Sequence, residues 1–325
     1  MKKALLGGLL AFLVLVNPAF AYNIEKLSDI GVHSDMVLSS GPEEVFLDPG
    51  GSAVRSFVVT NRTGYPQEYE IEIEDVKGSD NIEVPILFLG DEVGPYSLKD
   101  YLKPEITEFT LQHGERITIP VSIEIPLNAE PGGLYGTVIV RQLSNNDSSY
   151  AEIGKASGGV EIVERLASIY YVRVRGDAEE GGDILGFSSD KKFYAKPPVN
   201  LSLSYKNTGN VHLKPSGTIL VKNMINKDVA MFKVDPFFVL PGSTISRSKT
   251  IESMFMFGRY TAELSFNHDH DGKIENRKIA FWVIPWQLIL LILAILLVLV
   301  YGYHRLKKWF NDNFEKKEKV NNKKE

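Results

Sequence analysis

Arg116-Ile-Thr-Ile-Pro-Val-Ser-Ile-Glu-Ile125 is the stretch that decides the fold. Its apolar residues stand at every second position from Ile117 to Ile125. Because successive side chains of a β-strand point to opposite faces, this period of two predicts a strand with one buried face. Pro126 and then Pro131-Gly-Gly133 follow, and these turn-forming residues end the strand.

The same pattern recurs on both sides of this strand. Gln67 to Asp75 alternates Tyr69, Ile71 and Ile73 with glutamates, which predicts a strand with one wet face. Other β-prone runs, separated by turn residues, are 44–51, 53–61, 109–115, 134–141, 160–175, 199–206, 211–221, 229–234, 244–251, 258–266 and 273–281. Helical periodicity is weak everywhere in this region except around Tyr96–Leu102. Many short strands joined by turns predict an all-β fold of immunoglobulin-like β-sandwiches.

The strand pattern occurs twice along the chain. Val58-Val-Thr-Asn-Arg-Thr-Gly64 resembles Leu203-Ser-Tyr-Lys-Asn-Thr-Gly209, and Phe109–Arg116 similarly resembles Phe238–Ile245. Coincidental hairpin chemistry is the alternative to a true repeat. We predict two tandem sandwich domains, at 35–176 and 184–283, joined by the acidic, turn-prone linker 177–183 and preceded by a weakly patterned leader, 22–34.

An apolar run without a charged residue follows the second domain, from Trp286 to Tyr303. As a helix, its 18 residues would span about 27 Å, close to the hydrocarbon thickness of a bilayer. Trp282 and Trp286 at one end, and Tyr301 and Tyr303 at the other, fall where lipid headgroups would lie. We therefore predict a transmembrane helix at 286–303; a buried helix of a soluble domain is the alternative.

The flanks of the helix predict its orientation. Arg305, Lys307 and Lys308 form a stop-transfer cluster at the start of a basic tail, 304–325, which the positive-inside rule places in the cytoplasm. At the other end of the chain, Met1–Ala21 has the basic start, apolar stretch and small-residue cleavage site of a signal peptide; an uncleaved N-terminal anchor is the alternative. We thus expect a single-pass protein of the cell membrane with its two β-domains outside the cell.

Charge and cysteine content narrow the function. The chain's net charge of −5 becomes about −11 for 22–303 once the +4 of the tail and the +2 of Lys2 and Lys3 are set apart. An acidic exterior argues against nucleic acid as a partner. Because the chain has 0 Cys, disulfides, thiolate zinc sites and cysteine nucleophiles are excluded.

Two clusters have the residue types of a binding site. In Asn267-His-Asp-His-Asp-Gly272, His268, Asp269, His270 and Asp271 are weak candidates for metal ligands, but a polar hairpin tip with its turn at Asp271-Gly272 explains them more simply. Gly132, Gly133, Tyr135 and Gly136 suggest a binding edge, because glycines permit close backbone approach. A bulge or bend is the alternative for these glycines.

We expect no enzyme activity, no cofactor and no small-molecule substrate. The six histidines stand mostly at turns or tails, and the chain has neither a Gly-x-Ser-x-Gly elbow nor a phosphate-binding glycine loop that opens a helix. A triad assembled from distant residues, or a carboxylate pair among the many acidic residues, is not readable from the sequence.

The sequence also resembles the WxL-interacting proteins, cell-surface proteins of Gram-positive bacteria. The similarity lies in Phe46–Gly51, Phe57–Gly64, Ile119–Pro126 followed by Pro131–Gly136, and Asn207–His212. It also lies in the overall plan of signal peptide, two sandwiches, one helix and basic tail. The resemblance implies a non-enzymatic surface protein whose first domain binds peptidoglycan and whose second binds another surface or host partner. Residues 76–104 differ from the family pattern.

The favoured hypothesis is therefore a membrane-anchored surface protein that binds a partner in the cell envelope, either peptidoglycan or a surface protein. The first alternative is an assembly chaperone or scaffold that acts by β-strand pairing. The second is the ectodomain of a signalling complex, for which the 22-residue tail would need a separate cytoplasmic partner.

Overall fold

A computed structural model of the chain describes residues 22–39, 43–143, 164–253, 255–269 and 272–321. The predicted signal peptide lies outside these residues. The chain divides into two compact units, one formed by residues up to Lys77 with Ile86–Glu179, and the other by Gly78–Pro85 with the chain from Glu180 onward. Both units are built from β-strands, and the second also contains one helix.

The first unit contains eleven strands among its described residues. In chain order they are β1 (Asn23–Lys26), β2 (Met36–Ser39), β3 (Glu43–Leu47), β4 (Ser52–Asn61), β5 (Gln67–Gly78), β6 (Ile86–Phe88), β7 (Leu102–Pro104), β8 (Glu108–Leu111), β9 (Glu115–Glu124), β10 (Gly132–Gln142) and β11 (Arg165–Val174). One sheet has the order β1-β9-β4-β2, with β7 also paired to β9, and the other has the order β3-β11-β10-β5-β6, with β8 also paired to β5.

The alternation that opened the sequence analysis becomes β9, and its apolar face lies in the core. Ile117, Ile119, Val121 and Ile123 are fully buried against residues of the other sheet, such as Val138. A single core shared by two sheets makes this unit a sandwich of immunoglobulin type. The predicted leader is partly ordered, because β1 pairs with β9.

The second unit repeats this arrangement. Its elements are β12 (Gly182–Ser189), β13 (Phe193–Tyr194), β14 (Val199–Asn207), β15 (Ser216–Lys222), β16 (Asp228–Val234), β17 (Thr244–Ile251), β18 (Gly258–Asn267), β19 (Ile274–Val283) and α1 (Trp286–Asn321). The sheets are β12-β14-β17 and β13-β19-β18-β15-β16. As predicted from its alternation, β14 buries Val199, Leu201, Leu203 and Tyr205 on one face.

A buried asparagine closes the same turn in each unit. The Asn61 side-chain amide donates to the carbonyl oxygens of Tyr65 and Leu111, both at 2.8 Å, and the Asn207 amide donates to those of Val211 and Val239 at 2.7 and 2.8 Å. Each asparagine therefore ties a turn to a strand or loop distant in sequence.

The backbone around the two asparagines also matches. Gly114 donates its N–H to the Asn61 carbonyl and Gly242 donates to that of Asn207, and their φ angles of 78° and 72° favour glycine. The repeat seen in the sequence is therefore present in three dimensions. One correction applies to the pair Phe109–Arg116 and Phe238–Ile245. The sequence comparison sets Thr110 against Val239, but the structure places Leu111 in the position equivalent to Val239, an offset of one residue.

Asp75 organises the segment that departs from the resembled family. This carboxylate is fully buried; one oxygen accepts from the backbone N–H groups of Leu98 and Lys99 at 3.0 and 2.9 Å, and the other accepts from Gly94 at 3.0 Å. Where the sequence showed weak helical periodicity, the chain forms one 3₁₀ turn, Lys99–Tyr101. The segment is thus held by one side chain rather than by a regular element.

α1 is longer than the predicted helix of 18 residues. It has 36 residues and continues through the basic segment, which was expected only as a tail. The candidate membrane span, Trp286–Trp309, has 24 residues. Its most apolar 18 residues have a mean hydropathy of 2.4, and none of those residues is buried against the protein. By length and composition this helix can cross a bilayer.

Replacement of Asn61 by alanine will destabilise the first unit. The Leu111 carbonyl would lose the Asn61 donor, and the Tyr65 carbonyl would keep only the Thr63 hydroxyl, at a cost of about 2–3 kcal/mol. Hydrogen exchange followed by mass spectrometry should show protection of β4 and β8 falling roughly 30- to 150-fold.

Asn81→Ala is the matched control for this experiment. Asn81 is exposed, and its side-chain oxygen accepts from the backbone of Glu83, so its loss should cost less than about 0.5 kcal/mol. Equal effects of the two substitutions would contradict the role given to Asn61.

Candidate partner-binding edge

Among the described residues, a neighbouring strand covers only half of the outer edge of β11. β3 pairs with it in parallel from Tyr170 to Val174. Residues Arg165–Ile169, called here the open segment, pair with β10 on one side. On the other side, no strand among the described residues pairs with them. The open segment therefore presents backbone N–H and C=O groups to a possible partner strand.

The cause of this opening is the path of the chain through β2 and β3. β2 pairs with β4 in one sheet, and β3 pairs with β11 in the other, so the chain changes sheets between Ser39 and Glu43. A strand divided in this way cannot cover the full length of β11. β3 begins opposite Tyr170, and the open segment precedes that point.

The open segment is uncharged after Arg165, and Ser168 is the one polar residue among the other four. Leu166 and Ile169 are half-buried, Ala167 is exposed, and Ser168 is buried. The Arg165 guanidinium lies 2.7 Å from the Glu72 carboxylate and 2.8 Å from that of Glu74. These ion pairs hold the first residue of the segment to the outer face of the sheet, and the following four residues carry no charge.

The sheet edges of the second unit, unlike the open segment in the first unit, carry features that discourage strand pairing. The exposed edge of β17 carries Arg247 and Lys249, and the part of β19 beyond β13 carries Arg277 and Lys278. β12 is interrupted by a bulge between Ile184 and Gly186. Charged side chains and bulges are ordinary protections of sheet edges. β16 is less protected, since Met231 is exposed, although Asp228 and Lys233 bound its apolar residues.

The residues of the glycine-rich candidate edge are buried in β10. Gly132, Gly133, Tyr135 and Gly136 pair with β11 on one side; on the other side β5 pairs with β10 from Gly136 onward, and the Tyr135 N–H donates to the Tyr96 carbonyl. A side chain at Gly133 would collide with the Tyr135 hydroxyl group, and one at Gly136 would press on Leu98 and Leu102. These glycines make room for packing within the protein, not for a ligand.

The structure gives two of the four metal candidates other contacts. His268 Nε2 lies 2.9 Å from the Glu275 carboxylate, and Asp269 accepts from the backbone N–H of Lys214 at 2.9 Å. His270 and Asp271 lie outside the described residues. Asp269 and Gly272, on either side of these two residues, have positive φ angles of 75° and 65°; the turn predicted at Asp271-Gly272 stays a prediction.

The predicted membrane-interface residues are exposed at the two ends of the apolar helix segment. Trp282 is 40% exposed and Trp286 is 53% exposed, while Tyr301 and Tyr303 follow four to five helical turns later at 67% and 64%. Arg305, Lys307 and Lys308 are exposed on the continuing helix. This arrangement suits aromatic residues at two headgroup layers with cations beyond one of them.

Sequence reasoning missed the open segment. It predicted a strand or pair of strands over 160–175, and the structure has one described strand there, β11. Alternation shows that a strand exists but not which strands adjoin it. The only available signal was the absence of charge from Leu166 to Ile169, which is weak by itself.

The comparisons with known proteins are remote. No protein-family model matches the chain, and no curated protein matches its sequence. Among solved structures, the class 5 fimbriae chaperone CfaA superposes at 11% identity with a TM-score of 0.36, covering 76% of this chain and 99% of that chain. The CupB2 chaperone of Pseudomonas aeruginosa is 10% identical with a TM-score of 0.34, covering 75% of this chain and 100% of that chain. The E. coli chaperone DraB is 14% identical with a TM-score of 0.33, covering 75% of this chain and 95% of that chain. With TM-scores below 0.5, these similarities decide neither family nor function.

Charge pairs also fix the outer face of the second unit. The Glu263 carboxylate accepts from Lys222 and Lys278, each at 2.8 Å, and these two hydrogen bonds lower the pKa of Glu263 to about 2. Its pKa in the unfolded chain is about 4.3. Because the folded value is the lower one, any stabilisation from this cluster is present above about pH 4.3 and is lost as the pH falls through about 2.

Lys222→Met should raise the pKa of Glu263 toward its ordinary value, because the main hydrogen bond to the ionised carboxylate is removed. Carbon-detected NMR titration of the Glu263 carboxyl group measures this directly. Lys249→Met, on β17, is the control and should leave the titration midpoint near 2. An unchanged midpoint in Lys222→Met would show that this lysine does not hold the carboxylate.

Proposed function

We propose that this chain is a membrane-anchored, non-enzymatic binding protein that recognises a protein of the cell envelope by strand pairing at the open segment of β11. The supporting observation is that no strand in the described part of the chain pairs with the outer side of Arg165–Ile169, next to a half that β3 already pairs. An exposed edge of this kind accepts an extended peptide through backbone hydrogen bonds.

The geometry indicates how a partner strand would be recognised. It would extend the line of β3 along β11, with main-chain bonds to the open segment. Each such bond contributes about 0.5–1.5 kcal/mol net, so a strand of this length binds firmly only with additional side-chain contacts. Ala167 and Ile169 offer these contacts on one face of the sheet, and Leu166 offers them on the other.

The membrane anchor, α1, determines where this recognition takes place. It has the length and apolarity to hold the chain in a membrane, and the cations that follow its apolar part favour a cytoplasmic C-terminus. Both β-units would then face the cell exterior. A displayed or exported protein is accordingly the class of partner that the open segment would meet.

Two kinds of protein partner fit this proposal. A fixed surface protein would stay paired, as expected for a surface protein resembling the WxL-interacting family. An exported subunit would pair only until its assembly, and the chain would then act as an assembly chaperone. Peptidoglycan, the third expected partner, would be bound by polar side chains and would not depend on the open segment.

Ala167→Lys should abolish partner binding while leaving the fold intact. The side chain of Ala167 is exposed, so the substitution should change stability by no more than about 0.5 kcal/mol. A charge on an open edge opposes strand addition, and binding should fall at least about tenfold. The measurement is photo-crosslinking in living cells from a benzoylphenylalanine placed at Ile169, with and without the Ala167→Lys substitution.

Ser248→Lys is the matched control, because Ser248 is also exposed on an edge strand, β17. It should leave the crosslink unchanged. Pulse labelling then separates the partner classes, since a crosslink that decays with the age of the exported protein indicates a chaperone and a lasting one indicates a fixed partner. A crosslink insensitive to Ala167→Lys, or one to glycan alone, would contradict strand pairing.

A further inference from the structure

Large apolar side chains are exposed together at the end of the second unit where α1 begins. Phe255 is 64% exposed, Phe193 is 65% exposed and Ile225 is 76% exposed. Others at this end are Met224, Phe257, Trp282 and Ile284, exposed by 59, 49, 40 and 37%. Single exposed apolar residues are ordinary, whereas a group of them marks an interaction surface.

Strand pairing brings these residues to one end of the unit. β18 and β19 are antiparallel with Gly258 opposite Val283, so the loop that carries Phe255 and Phe257 adjoins the end of β19. β13 runs parallel to β19 and sets Phe193 beside Trp282. The β15–β16 turn belongs to the same end, because the Met224 methyl group lies against Gly258.

The chain itself indicates what would cover this surface. Only Ile284 and Pro285 separate β19 from α1, so Trp282 is no more than about 14 Å from Trp286 along a fully extended chain. If α1 crosses the bilayer, the headgroup region begins near Trp286. β13, the β15–β16 turn and the loop before β18, called here the three contact segments, therefore lie within reach of the same membrane.

The composition of these loops suits a lipid interface. Exposed lysines adjoin the apolar residues: Lys191 and Lys192 precede Phe193, and Lys227 follows Ile225 closely. Aromatic and aliphatic side chains that enter the headgroup layer, beside cations that meet anionic lipids, are typical of proteins lying on a membrane surface. A protein partner would not require this position next to the anchor.

We infer that this end of the second unit is a membrane-contact surface, in which Phe193, Ile225 and Phe255 enter the headgroup layer of the bilayer that α1 crosses. The surface goes beyond the proposed binding function and depends only on the anchoring part of it. It holds the second unit on the membrane through the three contact segments as well as through the helix.

The absence of cysteine from the chain permits a direct test by single-cysteine labelling. Phe255→Cys and Ile225→Cys are labelled with the fluorophore NBD in the full chain, reconstituted in phosphatidylcholine–phosphatidylglycerol vesicles. Both labels should emit at shorter wavelength than the same dye in buffer and should be quenched several-fold by headgroup-region nitroxide lipids. The two labels lie in separate loops, so the test can still be read if one of the two variants misfolds.

Ile274→Cys and Met231→Cys are controls matched in exposure, at 64 and 73%. Ile274 begins β19, nine residues before Val283 and so about 30 Å away along the strand, and its label should not be quenched. Labels at 225 and 255 that behave like those at 274 and 231 would overturn the inference.

A label at Leu293, in the apolar part of α1, separates the two ways of failing. If Leu293→Cys is quenched by nitroxides deep in the acyl chains while positions 225 and 255 are not, the contact surface is wrong but the anchor is correct. If Leu293→Cys is not quenched either, the anchor itself is refuted, and the contact surface with it.

Discussion

A β-strand can hydrogen-bond to one neighbour along each side, and in both units two consecutive strands pair in different sheets. β2 and β3 do this in the first unit, and β12 and β13 do it in the second. The last strand of each unit, β11 or β19, is consequently covered over only part of its length. What distinguishes the two openings is sequence: small and apolar residues on β11, and charged residues on β19.

The two units also share a way of closing their cores without disulfides. Asn61 and Asn207 each donate two buried hydrogen bonds to backbone carbonyl groups, one within the turn and one on a distant segment. Buried polar groups are costly unless every partner is present, so such a network favours one arrangement of the turn over its alternatives. A chain without cysteine can in this way fix its loops by side-chain amides and a buried carboxylate, Asp75.

Much of the fold follows from local sequence. The period of two in β9 and β14 identified their buried faces, and the uncharged run after Trp286 identified the helix. The strand order could not be read in this way, because it depends on contacts between residues far apart in the chain. Gly133 illustrates the difference: as part of a glycine-rich stretch it suggested an exposed edge, but the Tyr135 ring occupies the space its side chain would need.

The open segment was the least predictable feature, because it too depends on contacts between residues far apart in the chain. Nothing local distinguishes Leu166–Ile169 from a covered strand, since its openness results from where β3 begins. In the proposed function, the anchor and the strand edge together make the chain a protein that displays a binding surface at the membrane. The most direct test of strand pairing compares backbone protection along β11.

Hydrogen exchange should be measured for Arg165–Ile169 and Tyr170–Val174, in the purified chain in nanodiscs and in the native envelope. The account predicts that in nanodiscs the first segment exchanges faster than the second, and that in the envelope the two are protected alike. Equal protection in nanodiscs would show that the chain covers its own edge. An unprotected first segment in the envelope would show that no partner strand binds there.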